Sequence, residues 1–220
     1  MAYQRVISDY RILSADSLAA WAVIPTAVAS DCLNRTQSMQ SEIKAISLGM
    51  ALCGQARPVT AMIGDGGIVH EALLHSRPGE VIVVDAGGCK DVAVWGGIGN
   101  AAAVRAGIGG LVIDRAVRDV AELRQSGLPL FCRAAVPRGP HTEFGGTFDA
   151  AASVGGVVVH PGDIVLGDDD GVVVVPLAVA ERTLEAAQRH LEKERAWMAR
   201  IEAGETVHAI FGMPVAIVIP

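Results

Sequence analysis

Two adjacent residues near the middle of the chain, Arg118 and Asp119, carry side chains suited to chemistry on a small acid. An arginine can hold a carboxylate through two parallel hydrogen bonds, and one carboxylate with waters and substrate oxygens suits Mg²⁺ or Mn²⁺. The pair follows the apolar run Leu111–Asp114, so we expect it between a strand and a helix. A second interpretation stays open, in which Asp119 and Glu122 form a capping-box-like helix start and Arg118 is solvated.

A glycine-rich segment, Gly97-Ile98-Gly99-Asn100-Ala101-Ala102, lies upstream of this pair and before an alanine-rich helical stretch. It fits the pattern G-x-G-x-x-A of dinucleotide-binding sites. Asp114 lies close to the sequence position where such sites carry an acidic residue. However, the predicted helix is short and the apparent first strand lies midway along the chain, which disfavours a nicotinamide site. Glycines before a helix N-terminus also expose N–H donors to an anion, so a carboxylate site and a purely structural tight turn both remain open.

Two further motifs are typical of metal sites but fail on spacing or context. His70-Glu71-Ala72-Leu73-Leu74-His75 is close to the zinc-peptidase motif H-E-x-x-H, but its histidines are five residues apart instead of four. That spacing turns the two imidazoles to different sides of a helix, so we expect no zinc site there. Asp168-Asp169-Asp170-Gly171 lies between apolar runs, and Asp-Gly between strands indicates a hairpin turn.

Composition limits the class of protein. Of 220 residues, 51% are apolar and 19% charged, which excludes a disordered chain, and the net charge of −6 argues against a nucleic-acid surface. The mean hydropathy is +0.39. Uncharged runs such as Ser17–Ser30 are nevertheless shorter than the ~18 residues of a membrane-spanning helix. The four cysteines lie far apart in the sequence, which favours reduced thiols over a disulfide framework. No signal peptide is evident. We therefore expect a cytoplasmic protein with no membrane or nucleic-acid partner.

Periodicity and turn residues predict a mixed α/β chain. Helices are expected over 15–35, 39–54, 70–76 and 120–126, and strands over 58–63, 80–85, 111–114 and 130–132, followed by a strand-rich segment at 154–175. Apolar residues recur at helical spacing after Leu177, which predicts a long amphipathic C-terminal helix over 177–203, closed by Gly204. No flexible linker is evident, so we expect one domain over 1–220.

An ordered series of motifs resembles a known family. These are Gly64-Asp65, VIVVDAGG (81–88), WGG (95–97), GIGGLVIDRAVRD (107–119), LPLFCRAAVPRG (128–139) and GDIVLGDDDGVVVVP (162–176). The chain is similar to the RraA-like family, which contains 4-hydroxy-4-methyl-2-oxoglutarate aldolases and the regulator of ribonuclease activity A. The resemblance implies a swivelling β/β/α domain, assembled as a homotrimer or a dimer of trimers with sites at the subunit interfaces.

The resemblance also implies roles for individual residues. Asp119 would ligate a divalent cation, Mg²⁺ or Mn²⁺, and Arg118 would hold the pyruvyl group of an oxo acid substrate. Backbone N–H groups would bind the substrate carboxylate, and they belong to Gly96, Gly97, Ile98 and Gly99. A glutamate from the neighbouring subunit's C-terminal helix is expected to assist, either Glu192 or Glu194.

One departure from the family pattern concerns a carboxylate. The aldolases carry an acidic residue ahead of Arg-Asp at a position that here is Gly97, and Arg115 stands where glycine is common. The retained Asp119 favours a metal-dependent aldolase or decarboxylase that releases pyruvate from a 4-hydroxy-2-oxo dicarboxylic acid or oxaloacetate. The alternative is a non-catalytic regulator that binds a protein partner, and Gly97 is its best support.

Overall fold

The computed structural model describes residues 2–219, so residues 1 and 220 of the predicted domain lie outside the described part. Its elements in chain order are β1 Tyr3–Arg5, α1 Ala15–Ala22, α2 Thr26–Cys32, β2 Lys44–Ala45, β3 Leu52–Ala61, α3 Gly67–Leu74, β4 Val81–Asp85, β5 Ala93–Trp95, α4 Gly97–Ala106, β6 Gly110–Val117, α5 Val120–Gln125, β7 Leu130–Ala135, β8 Gly146–Phe148, β9 Ala152–Val154, β10 Val157–Val159, β11 Ile164–Asp168, β12 Gly171–Val175, α6 Ala180–Glu202 and α7 Val207–Phe211.

A parallel sheet forms the centre of the molecule. Strands β3, β4, β6 and β7 pair in that order and all run parallel, because a helix connects each strand to the next. Strand β4 is apolar up to its last residue, Asp85, and every residue of β6 is buried, as expected for strands covered on both faces. The antiparallel hairpin β11–β12 joins the sheet through β3, and α6 packs on α2 against this hairpin.

The short strand β5 brings the two candidate segments together. It pairs in parallel with the end of β6, with Ala93 opposite Ala116 and Trp95 opposite Val117. The carboxyl ends of parallel strands lie at the same edge of a sheet. The residues that follow β5, beginning with Gly96, therefore lie beside Arg118 although they are far apart in sequence.

Several predicted elements are confirmed and two are wrong. Strands at 80–85, 111–114 and 130–132 are present, as are the helix after Asp119, the Asp170-Gly171 hairpin turn and the long C-terminal helix. The helix predicted over 70–76 is present as α3, but it begins earlier, at Gly67. The helix predicted over 15–35 is two helices, α1 and α2. They are separated at Pro25, whose ring disfavours helical geometry in the residue before it.

The helix predicted over 39–54 is also wrong. Residues 52–54 begin strand β3, where Leu52 and Gly54 pair with β11. Gly54 does not close a helix. It allows close approach of another strand end, because a Cβ there would lie 2.5 Å from the carbonyl oxygen of Gly79.

Charged side chains from β3, from the residue before β4 and from the residue after β8 are buried together. Arg57 is 3% exposed and donates to both oxygens of Asp149 at 2.7 and 2.8 Å and to Glu80 Oε2 at 3.1 Å. Burial alone would raise the pKa of Glu80. Hydrogen bonds from Arg77 and Tyr10, together with the charge of Arg57, outweigh that effect and hold its pKa below the ordinary value.

No helix within the described residues is long and apolar enough to cross a lipid bilayer.

Candidate functional site

The end of β5 and the end of β6 are joined so tightly that the residue after β5 must be glycine. The Arg118 N–H donates to the Trp95 carbonyl oxygen at 2.9 Å, which fixes the two chain segments side by side. A Cβ on Gly96 would lie 2.5 Å from Asp119 Oδ2 and 3.0 Å from Arg118 Cγ. Gly96 therefore leaves the space in which both side chains of the Arg-Asp pair lie.

Asp119 occupies a backbone conformation that is uncommon for a residue with a side chain. Its φ of 60° and ψ of 39° are left-handed, a region where aspartate and asparagine are enriched. The side chain makes no cap hydrogen bond to its own helix α5, so the capping-box interpretation is wrong. Instead, Asp119 Oδ2 accepts a hydrogen bond from the Gly97 N–H at 2.9 Å. The second oxygen, Oδ1, has no hydrogen-bond partner among residues 2–219.

Arg118 lies beside this carboxylate with its guanidinium partly open to solvent. Its Nε is 3.6 Å from Asp119 Oδ2, and the side chain is 41% exposed. The guanidinium rests on the backbone of Gly139, where a Cβ would overlap Arg118 Nη1. Gly96 and Gly139 thus bound the arginine on two sides, and its remaining donors are available to an anion.

We expect Gly139→Ala to lower any catalytic turnover that depends on the Arg118 guanidinium about tenfold, because a displacement of about 1 Å can cost more than that. The protein's melting temperature should stay close to that of the wild type, since the atom displaced is the end of a flexible side chain. Steady-state kinetics and a thermal melt on the same preparation check this. The control is Ala121→Ser, on the exposed side of α5. Gly49→Ala would not serve as a control, because alanine is strained at the φ of +78° that Gly49 adopts. Unchanged kinetics in Gly139→Ala would show that the guanidinium position is unimportant.

A cavity of about 180 Å³ opens in front of the pair. Its lining combines the first turn of α4 with residues of α3, β5, the Arg-Asp pair and the 140–142 segment: His70, Val94, Trp95, Gly96, Ile98, Gly99, Arg118, Asp119, Pro140 and Thr142. Within the described chain, the N–H groups of Ile98 and Gly99 have no acceptor, as is usual in the first turn of a helix. The cavity therefore offers a guanidinium, a carboxylate and free amides to one small ligand.

His70 and Trp95 form one wall of this cavity. Their rings stack with centroids 5.3 Å apart, and a Cβ on Gly99 would lie 2.7 Å from His70 Cε1. Desolvation by the surrounding protein lowers the pKa of His70, which favours the neutral imidazole. The Trp95 indole N–H is buried without a hydrogen-bond partner in the described structure.

A larger cavity of about 440 Å³ lies between the α1–α2 connection and β11. Its lining contains one charged residue, Asp168, whose oxygens already accept hydrogen bonds from the N–H and hydroxyl of Thr26 at 2.9 and 2.6 Å. This cavity therefore lacks the free charged groups that distinguish the smaller one.

The structure places the predicted site residues in two groups. Arg118, Asp119 and the segment Gly96–Gly99 come together, although the Gly97 N–H is already bonded to Asp119. Glu192 and Glu194 lie on α6, where Glu194 is 3.3 Å from His190 Nε2, and neither lines the cavity. Their contribution across a subunit interface stays a prediction.

Sequence reasoning missed two side chains here. The sequence presents His70 only as half of an incomplete zinc motif, yet it stacks on Trp95, whereas His75 stacks on Phe148. The sequence presents Glu122 only as a capping residue, yet a Cβ on Gly97 would overlap its Oε2. No pattern within either local segment indicates these neighbours, because they come from separate elements. No group of three or more His, Cys, Asp and Glu residues between 2 and 219 is arranged to hold a metal ion alone.

Comparisons with known proteins agree on one family. The model of the RraA-like family, described as Aldolase/RraA, matches residues 26–174. The chain is 34% identical over 174 residues to a Halalkalibacterium halodurans protein named "Putative 4-hydroxy-4-methyl-2-oxoglutarate aldolase", covering 79% of this chain and 83% of that protein.

Solved structures share the fold over nearly the whole chain. A Pseudomonas syringae protein of uncharacterized function superposes with a TM-score of 0.84 at 25% identity, covering 95% of this chain and 99% of that one. A Streptomyces coelicolor protein, described as an unusual member of the RNase ES inhibitor RraA protein family, superposes with a TM-score of 0.76 at 26% identity, covering 86% and 99%. The matched segment includes the Arg118-Asp119 pair and the cavity in front of it. The chain therefore belongs to the RraA-like family.

Proposed function

We propose that this protein is a divalent-metal-dependent lyase that releases pyruvate from a 4-hydroxy-2-oxo dicarboxylic acid or from oxaloacetate. The observation that carries this proposal is the cavity in which Arg118, a free oxygen of Asp119 and the free amides of α4 face the same small volume. The aldolase name of relatives such as the H. halodurans protein supports the reaction class.

The donor set fits Mg²⁺ or Mn²⁺ better than a zinc ion. Structural and catalytic zinc sites use three or four protein ligands, and no such cluster exists between residues 2 and 219. Mg²⁺ keeps several waters and is bound through one or two carboxylates together with substrate oxygens. Asp119, which is 40% exposed and has one oxygen without a partner, is a suitable single carboxylate.

When bound at Asp119, the cation would act as a Lewis acid toward the 2-oxo group. The chain's own residues would bind and stabilise the reacting acid. Arg118 would hold the pyruvyl carboxylate or the developing enolate, and the Ile98 and Gly99 N–H groups would donate to a carboxylate oxygen. Fixed donors of this kind stabilise developing charge without reorganising during the reaction.

The bond changes are the same for both substrate types. In the 4-hydroxy acid, the 4-hydroxyl gives its proton to water and its oxygen forms a C=O bond at C4. The C3–C4 bond breaks, a second oxo acid is released, and the electron pair of the broken bond forms the enolate of pyruvate. In oxaloacetate, the bond to the C4 carboxylate breaks, CO₂ leaves and the same enolate forms. A proton added at C3 then gives pyruvate.

We also propose that the working form is a homo-oligomer, a homotrimer or a dimer of trimers. The C-terminal segment after α7 exposes Val215, Ile217, Val218 and Ile219 by 82–90%, an apolar stretch unusual for a free monomer surface. Light scattering on the full chain tests this proposal.

Pyruvate release tests the reaction. We expect release from 4-hydroxy-4-methyl-2-oxoglutarate or oxaloacetate with Mg²⁺ or Mn²⁺, and loss of that release on adding a chelator. Oxaloacetate loses CO₂ slowly with metal alone, so a protein-free control accompanies each measurement. A folded oligomer that releases pyruvate from neither substrate above that control would contradict the proposal and favour the regulatory alternative.

A further inference from the structure

Three of the residues that line the cavity in front of the Arg-Asp pair have ionisable side chains: His70, Arg118 and Asp119. An arginine stays protonated and accepts no proton. Asp119 already accepts the Gly97 N–H, and in the proposed function its other oxygen holds the cation. Within residues 2–219, His70 is therefore the lining side chain that is able to take up a proton near neutral pH.

Two contacts fix the His70 imidazole at the cavity wall and leave its nitrogen atoms free. One face of the ring stacks on Trp95, with the centroids 5.3 Å apart and the planes inclined by 20°. The ring edge at Cε1, the carbon between the two nitrogens, lies against Gly99, where a Cβ would be 2.7 Å away. Neither nitrogen has a hydrogen-bond partner in the described chain. The imidazole thus adjoins the first turn of α4, where the Ile98 and Gly99 N–H groups are also free.

The surroundings of His70 favour a neutral ring that is ready to accept a proton. Desolvation is the cause of its lowered pKa. The ionisable neighbours on the surrounding elements are Arg118, Asp119, Glu71 on α3 and His141 on the 140–142 segment, and β5 and the first turn of α4 carry none. None of these neighbours contributes to the shift. A general base must begin in its unprotonated form, and His70 meets this requirement.

The two substrate types differ in their need for a base. Cleavage of a 4-hydroxy acid removes the proton of the 4-hydroxyl, whereas loss of CO₂ from oxaloacetate removes no proton. In 4-hydroxy-4-methyl-2-oxoglutarate, this hydroxyl and a carboxylate are bonded to the same carbon. A carboxylate held by the Ile98 and Gly99 N–H groups places the hydroxyl beside His70, because the ring contacts Gly99.

We propose that His70 accepts, through one bound water, the proton that the 4-hydroxyl releases, and that decarboxylation of oxaloacetate does not need this step. The inference rests on the proposed function. The O–H electron pair becomes the second bond of the C=O at C4, the C3–C4 pair passes to the enolate of pyruvate, and the imidazole becomes imidazolium. The enolate then takes a proton from water at C3, and the hydroxide left behind removes the imidazolium proton.

Pyruvate release from both substrates by one His70→Gln preparation with Mg²⁺ tests the inference. We expect release from 4-hydroxy-4-methyl-2-oxoglutarate to fall about a hundredfold, the low end of what a general base contributes. Release from oxaloacetate should fall far less, since that reaction removes no proton. His75→Gln is the matched control, because His75 ends the same helix but stacks on Phe148 and does not line the cavity. It should change neither rate, and thermal melts confirm that both variants fold.

The pH profile separates a proton acceptor from a residue that only shapes the cavity. In the wild type, kcat/KM for the 4-hydroxy acid should fall as the pH drops through the pKa of His70, which lies below the ordinary value of 6.5. His70→Gln should lack this decline. In the protein without metal, proton magnetic resonance should show an imidazole signal that is absent from His70→Gln and that titrates below the ordinary histidine value.

The inference and the proposed function fail differently. Equal losses with both substrates would mean that His70 only shapes the cavity, and unchanged release from both would mean that another group takes the proton. Either result overturns the inference and leaves the lyase proposal standing, as does a wild type that releases pyruvate from oxaloacetate alone. A wild type that releases pyruvate from neither substrate contradicts the proposed function and the role of His70 together.

Discussion

Replacing Asp119 with asparagine is expected to lower pyruvate release by at least about a thousandfold, because the Lewis acid contributes several kcal/mol to such a reaction. Asparagine also tolerates the left-handed backbone at φ 60°, and its amide oxygen can accept the Gly97 N–H. The change therefore removes the charge while keeping the local shape. Pyruvate release with saturating Mg²⁺ and with Mn²⁺ measures the loss.

Two comparisons separate the loss of charge from a loss of structure. Asp119→Ala should lower the free energy of unfolding by about 1–2 kcal/mol, since alanine is strained in the left-handed region. Asp119→Asn should melt close to the wild type. Pyruvate release that persists in a folded Asp119→Asn protein would remove Asp119 from the proposed reaction.

The sequence predicted the components of the site because each lies in a short local pattern. A strand followed by Arg118-Asp119, and glycines before a helix at Gly97, are recognisable from a few consecutive residues. Their meeting depends on β5 pairing with the end of β6, which no local pattern specifies. For the same reason the wall formed by His70 and the approach of Glu122 to Gly97 could not be predicted.

The fold shows the same division between local and long-range information. The long amphipathic helix α6 was predictable because its spacing repeats over many residues. The stretch 39–54 was wrongly predicted as a helix. Its residues form β2, turns and the start of β3, and the partners of these strands, β7, β4 and β11, are remote in sequence. Arg57 is the clearest example of long-range information. An arginine is expected at the protein surface, whereas the side chain of Arg57 on β3 is buried.

Replacing Arg57 with methionine is expected to lower the free energy of unfolding by about 3 kcal/mol at pH 7, as when one partner of a buried ion pair is removed. Asp149 and Glu80, each mostly buried, would lose their shared guanidinium. The estimate lies at the low end of the usual range because Arg5 still bonds Asp149 and Arg77 still bonds Glu80. Urea unfolding of both proteins at pH 7 measures the difference.

The pH dependence distinguishes lost charge pairing from lost packing. The pKa of Glu80 is lowered in the folded protein, so its stabilisation is present above the ordinary glutamate value and disappears as the pH falls through the lowered pKa. Without Arg57 that pKa should rise, and the stability difference between wild type and Arg57→Met should shrink as the pH falls below about 4. Arg182→Met, at an exposed position on α6, should leave stability unchanged at both pH values. A destabilisation by Arg57→Met that is equal at pH 7 and in acid would mean that the packing of the arginine stem, and not its charge, holds β3 against β4.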